Sequence, residues 1–253
     1  MSLKDEFLKS LVGQQKDGKI RFALDDHGDI THLIKRVDPR CREVYEKLAA
    51  LRSPYLPAVL LMKEVDGALE VHEEYIRGQT LEAYAQEQGP LDDETLRQVA
   101  FDVAQALRLL HSTQPPIIHR DVKPQNILRR ENGRFVLIDF DAARLYDADA
   151  DTDTRCIMTM VYAAPEQYGL AQTDVRSDLF SLGVTLYEMK TGEHYVMGAK
   201  CEGALHAVIA RCTAFDPKKR YASAEKLLRA LDAQTPAGKK RRQARCGRRQ
   251  RFF

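Results

Sequence analysis

Over the first eighty positions the apolar residues fall in short β-branched blocks rather than at helical steps. KIRFALD (19–25) and ITHLIKRV (30–37) flank the polar break DDHGD, which predicts a hairpin. REVYEKLAAL (42–51) favours a helix that Ser53-Pro54 ends. Pro57 to Met62 and Leu69 to Tyr75 predict two more strands. From Thr80 the period changes: Leu96, Val99, Ala100, Val103, Leu107 and Leu110 recur at three- and four-residue steps, one buried face of a helix. Further helices are predicted from about Ser177 to Lys190 and from Ser223 to Leu231. Ahead of these two, Tyr146 to Arg155 is polar and without regular period, and reads as a mobile loop. A small β lobe followed by a larger α lobe is the expected organisation.

Composition excludes several classes. The chain has 253 residues, 44% hydrophobic and 30% charged, ordinary for a globular protein with a sizeable core. The longest apolar run, Leu56 to Met62, is far short of the roughly 20 residues that span a bilayer. MSLKDEFLKSLVG at the start is charged and lacks the apolar stretch of a secretory signal. Five scattered cysteines without a CxxC pair suit a reducing, cytoplasmic compartment, and no His/Cys cluster has zinc spacing.

Charge is divided along the chain. The net +2 combines residues 1–238, with 31 basic against 37 acidic side chains, and a tail from Lys239 to Phe253 with eight basic residues and no acid. That tail reads as a solvated end. Its other reading is a contact for acidic partners, nucleic acid or anionic lipid.

The strongest chemical signal is Ile117 to Leu128, IIHRDVKPQNIL. Asp139 follows in IDFD, then Tyr162-Ala163-Ala164-Pro165-Glu166, Ser177-Asp178 with Leu182-Gly183, and DPKKRY from Asp216 to Tyr221. In this order and spacing the segments resemble the catalytic loop, DFG, APE, buried-helix and D-P-x-x-R blocks of the eukaryotic-type (Hanks-type) serine/threonine protein kinases. The wording is most like the compact bacterial members. The resemblance covers residues 13 to 231 and implies an α+β, two-lobed fold: a small antiparallel β N-lobe (about 1–75) and a larger, mainly helical C-lobe (about 76–236), with the basic tail (237–253) beyond.

The resemblance also implies chemistry: transfer of the γ-phosphate of ATP to serine or threonine of protein substrates, with Mg2+. Phosphoryl transfer asks for metal placement, charge neutralisation and an aligned hydroxyl. Asp121 would orient the hydroxyl and take its proton, Asn126 and Asp139 would hold magnesium, and Lys123 would neutralise charge on the transferred group. Lys123, with Thr159, favours serine/threonine over tyrosine specificity. Gly13 and Gly18 begin a glycine-rich roof that ends at Ile20, with Gln15 replacing its middle glycine. Lys35 would pair with the α and β phosphates.

Other matches are regulatory or architectural. The helix carboxylate expected to pair with Lys35 is Glu43 or Glu46, with Glu43 preferred; the family's position falls nearest Val44, between them. Glu74 and Ile76 would present hinge backbone groups to adenine, and Glu73 occupies the gatekeeper position, where a carboxylate needs a partner. Asp141 stands in place of the DFG glycine and should restrict backbone switching. Asp178 should accept hydrogen bonds from the catalytic-loop backbone, and Glu166 should pair with Arg220. Arg120 could dock a phosphate on Thr152 or Thr154, although Asp147, Asp149, Asp151 and Asp153 nearby could mimic or repel one. A pseudokinase scaffold and a small-molecule phosphotransferase are the alternative functions.

Overall fold

In the hairpin strands β1 (Ile20–Leu24) and β2 (Ile30–Val37), backbone N–H and C=O groups pair across the break at 25–29. The structure, a computed structural model, describes residues 20–147, 161–168 and 173–233. Gly13, Gln15, Gly18, Thr152, Thr154, Thr159 and the basic tail lie outside them. The described chain forms two compact units, one running to Ser53 with Pro57–Ile76, the other made of Pro54–Leu56 with Arg77 onward.

Among its described residues the first unit holds a four-stranded antiparallel sheet and one α-helix. After β2 come α1 (Arg42–Ala50), β3 (Val59–Val65) and β4 (Ala68–Glu74), and the sheet order is β1-β2-β4-β3. β3 turns into β4 at Asp66-Gly67, both with positive φ (49° and 72°). This is the Asp-Gly signature of a two-residue hairpin, whose mirror-image turn matches strand twist. Side chains alternate between faces. Lys35 is opposite Ile20 and Val71, and Leu33 is opposite Glu73, so these residues share one face with Val37 and Leu69. On the other face Glu70 lies under Arg21 and Lys63. Helix α1 buries Val44, Tyr45 and Leu48 and packs against β3.

The second unit is mainly helical. β5 (Gly78–Thr80), α2 (Leu81–Gln88) and α3 (Asp93–His111) are followed by β6 (Ile117–Ile118), β7 (Ile127–Arg130), β8 (Phe135–Leu137) and β9 (Arg144–Leu145). α4 (Val175–Thr191), α5 (His206–Cys212) and α6 (Ala224–Ala233) complete it. Thr80, Asp92 and Asp174 cap the N-termini of α2, α3 and α4 by accepting from backbone N–H groups. Small sheets β5-β7-β8 and β6-β9 hold the loop between β6 and β7.

Helix α3 packs its apolar face on α4 and α6. α4 is buried nearly all round from Ser177 to Tyr187, as expected for a helix at the centre of a core. Its hydroxyls are satisfied locally: Ser181 and Thr185 donate to carbonyls one turn back, at 3.2 and 2.9 Å. Gly183 allows α5 to approach, since a Cβ there would lie 2.5 Å from Cys212 Cβ. No helix among the described residues is long and apolar enough to cross a membrane.

Candidate active site

The loop between β6 and β7 is fastened from below by α4. Asp178 is fully buried, and its carboxylate accepts from the backbone N–H of His119 (2.9 Å) and of Arg120 (2.7 Å). His111, at the end of α3, lies 2.9 Å from the same carboxylate through Nε2. Burial alone would raise Asp178. The hydrogen bond and charge of His111 and the Arg120 N–H outweigh it, so the carboxyl sits below its ordinary value.

The fastening lets the loop hold unusual backbone. Arg120 (φ 68°) on this loop, and Asp139 (φ 67°) just after β8, are in the left-handed region, which costs a non-glycine residue about 1 kcal/mol or more. Gln167 clamps the Arg120 peptide, donating from Nε2 to its carbonyl at 3.1 Å and accepting the Ala164 N–H at 2.9 Å.

Above this base, Asp121 is held from two sides. Lys123 Nζ lies 2.7 Å from Asp121 Oδ2. Asn126 Nδ2 donates to both Asp121 Oδ2 and the Asp121 carbonyl, each at 2.9 Å. Because the Asn126 amide nitrogen is committed to Asp121, its Oδ1 remains as the oxygen donor. The Ile138 N–H donates to the Asn126 carbonyl at 2.9 Å, joining the strand that leads into Asp139 to Asn126. An amide oxygen and a carboxylate suit a hard cation that keeps water and phosphate oxygens as its other ligands, the habit of Mg2+. Among the described residues no group of three or more His, Cys, Asp and Glu forms a metal cage.

His119 and Phe140 form the floor, ring centroids 5.2 Å apart and edge-on. His119 is completely buried; the Asp121 N–H points at its Nδ1 (3.3 Å) and its Nε2 lies 3.2 Å from the Ile138 carbonyl. The proton therefore belongs on Nε2. Burial holds the imidazole below the ordinary histidine range, against the charges of Asp178, Asp121 and Asp139. Asp141 has no positive φ, so its side chain fits the backbone as it stands, and its N–H points back to Asp139 Oδ1 at 3.4 Å.

Glu166 and Arg220 meet in a buried bidentate pair, at 2.6 and 2.9 Å. Arg220 also donates to the carbonyls of Ala214, Phe215 and Arg176, and lies over the Phe180 ring at 4.7 Å. Ser177 donates to Glu166 at 2.8 Å.

In the first unit Lys35 is buried on the β2 face it shares with Ile20. Its carboxylate is not the expected Glu43. Both Glu43 and Glu46 are exposed, while Val44 between them is buried. The helix phase places the valine inward, and Lys35 Nζ lies 3.5 Å from Glu73 Oε2 on β4. Glu74 ends β4 with its N–H donated to Ala58 and its side chain accepting the Ala58 N–H. Ile76, the last residue of this unit, is buried.

Sequence reasoning missed His111, Gln167 and Asp102. Asp102, on the buried side of α3, accepts the Phe135 N–H at 3.0 Å and so fixes β8. An acid inside the apolar stripe of α3 was its signal; His111 and Gln167 carried none, because their partners are distant in the chain.

This fold and constellation define a class. The protein kinase domain family matches residues 35–228, and the chain belongs to that family. Relatives include a probable serine/threonine-protein kinase of Clostridium perfringens, 40% identical over 146 residues, 57% of this chain and 21% of the relative. Serine/threonine-protein kinase A of Synechocystis is 29% identical over an alignment of 274 positions that takes in 89% of this chain and 52% of the relative. Serine/threonine-protein kinase PknB of Mycobacterium leprae is 32% identical over 233 residues, covering 79% and 37%. The chain thus spans between about a fifth and a half of the length of these relatives.

Proposed function

We propose that the chain is a serine/threonine protein kinase, transferring the γ-phosphoryl group of ATP to hydroxyls of protein substrates. The observation that carries this is Asp121, oriented by Lys123 and Asn126 on a loop bolted to Asp178. The names of the relatives support the same reading.

Each residue has a role in that reaction. Asp121 accepts the proton of the attacking serine or threonine hydroxyl as its oxygen bonds to phosphorus and the bond to the ADP leaving oxygen breaks. Lys123, already beside Asp121, meets the negative charge of the group in transit. Asn126 and Asp139 are the residues that would hold Mg2+, which when bound neutralises phosphate charge. Lys35 holds the α and β phosphates beneath Ile20, and the Glu74 carbonyl and Ile76 backbone receive adenine. Serine/threonine preference is supported by Lys123, two residues after Asp121. A reducing, cytoplasmic compartment belongs to the same reading, supported by five scattered cysteines that include no CxxC pair.

Purified chain incubated with Mg2+, γ-labelled ATP and a generic basic protein should label serine and threonine. Asp121→Asn should lower the rate by about 10²–10⁴-fold, the range for losing a positioned acid–base group. Equal transfer by both chains would refute the assignment of Asp121, and transfer by neither would refute the activity.

A further inference from the structure

The carboxylate of Glu73 faces Lys35 from the neighbouring strand, and the reason lies in the register. Lys35 is directly opposite Val71, and Glu73 is two residues further along β4, on the same face. Diagonal neighbours of this kind are within reach of long side chains, and the Nζ–Oε2 distance is 3.5 Å with both side chains buried. Buried charges persist where they are paired. The face that α1 turns inward carries Val44, Tyr45 and Leu48, and its two glutamates are exposed.

We propose that Glu73 is the positioning residue for Lys35, doing from within the sheet what a helix carboxylate would otherwise do. The proposal rests on the reading of Lys35 as the phosphate-binding lysine. Its consequence is mechanical. β2 and β4 are joined by a continuous antiparallel ladder from His32–Glu74 to Val37–Leu69, so lysine and carboxylate move as one body. The placement of Lys35 is then set by the sheet and is independent of the position of α1. A switch that works by swinging a helix glutamate towards or away from the lysine has no handle here. Glu73 touches neither substrate nor the transferred group in this scheme; it acts through Lys35.

Two readouts test this, one of which needs no catalysis. In protein carrying ¹³C at lysine Cε, Glu73→Gln should lower the pH at which Lys35 titrates by about one unit or more, since a buried ammonium loses a carboxylate at ion-pair distance. Glu43→Gln should leave that titration unchanged. In phosphoryl transfer, Glu73→Gln should raise KM for ATP and reduce kcat/KM about tenfold, a loss of phosphate placement rather than of the acid–base group. Glu73→Leu combined with Val44→Glu, which moves the carboxylate to the inward helix position, should recover part of that loss and make activity sensitive to substitutions in α1. Glu73→Asp provides a milder variant that keeps charge and should fall between wild type and Glu73→Gln. An unchanged Lys35 titration in Glu73→Gln, or a shifted one in Glu43→Gln, overturns the proposal. A wild-type chain that transfers no phosphate would refute the kinase reading, while the Lys35 titration would still decide the pairing.

Discussion

Arg220 has five N–H groups, and oxygens of Glu166, Ala214, Phe215 and Arg176 receive them. Such a buried pair is costly to halve, because the remaining charge is stranded in low dielectric. Arg220→Met or Glu166→Leu alone should therefore destabilise by about 3–5 kcal/mol, measured by equilibrium denaturation. The double variant should recover part of the loss, since two apolar groups strand no charge; a simple sum of the two losses would count against the pairing as the cause. Lys35 and Glu73 obey the same electrostatics, with the difference that here the ion pair aims a functional group.

At the scale of elements, close packing and capping decide what the chain tolerates. α4 and α5 touch at Gly183, where an added Cβ would lie 2.5 Å from Cys212 Cβ and 2.9 Å from Thr213 Cγ2. Gly183→Ala should force the helices apart and destabilise by about 1–3 kcal/mol, although alanine is the better helix former. A thermal midpoint equal to wild type would show that α5 gives way freely. At the start of α3, Asp92 accepts from the N–H groups of Glu94 and Thr95 at 2.9 and 2.8 Å. Asp92→Ala should cost about 0.5–2 kcal/mol, read from the urea midpoint. The helices with strong one-sided patterns, α1, α3 and α6, were readable from period alone, as were β1 and β2. α2 and α5 are short and weakly patterned, and β7 (4 residues) and β8 (3 residues) are too short for alternation to stand out. β3 runs to Val65 rather than ending at Met62 because the Asp66-Gly67 turn, not the apolar run, terminates it.

Across the whole chain, acid should act through groups that folding keeps from protonating. Burial holds His119 below the ordinary histidine range. His72 is likewise lowered, first by burial and then by His32, which lies 2.9 Å away; Lys63 and Arg21 add to this and Glu70 opposes it. Groups with depressed pKa contribute stability that is present above the unfolded value, about 6.5 for histidine, and lost as pH falls. Denaturation midpoints should therefore decline from pH 7.5 to 5.5, and His72→Gln should flatten part of the decline. Asp178, also depressed, adds a loss at still lower pH, below the ordinary carboxylate range near 3.9. A profile flat across that interval would mean that neither imidazole resists protonation in the folded chain.

The sequence by itself determined the family and the identity of the chemical groups. An ordered string of short motifs needs only residue type and spacing to be recognised, and local periods of two and 3.6 need only neighbouring positions. Tertiary structure decided the partnerships. Asp178 with His111, Gln167 with the Arg120 carbonyl and Asp102 with the Phe135 N–H join residues far apart in the chain, and no local pattern encodes them. The carboxylate facing Lys35 shows the reason most clearly. Its identity depends on the register of β2 against β4 and on the rotational phase of α1 together, and a shift of one residue in either would turn a different side chain inward.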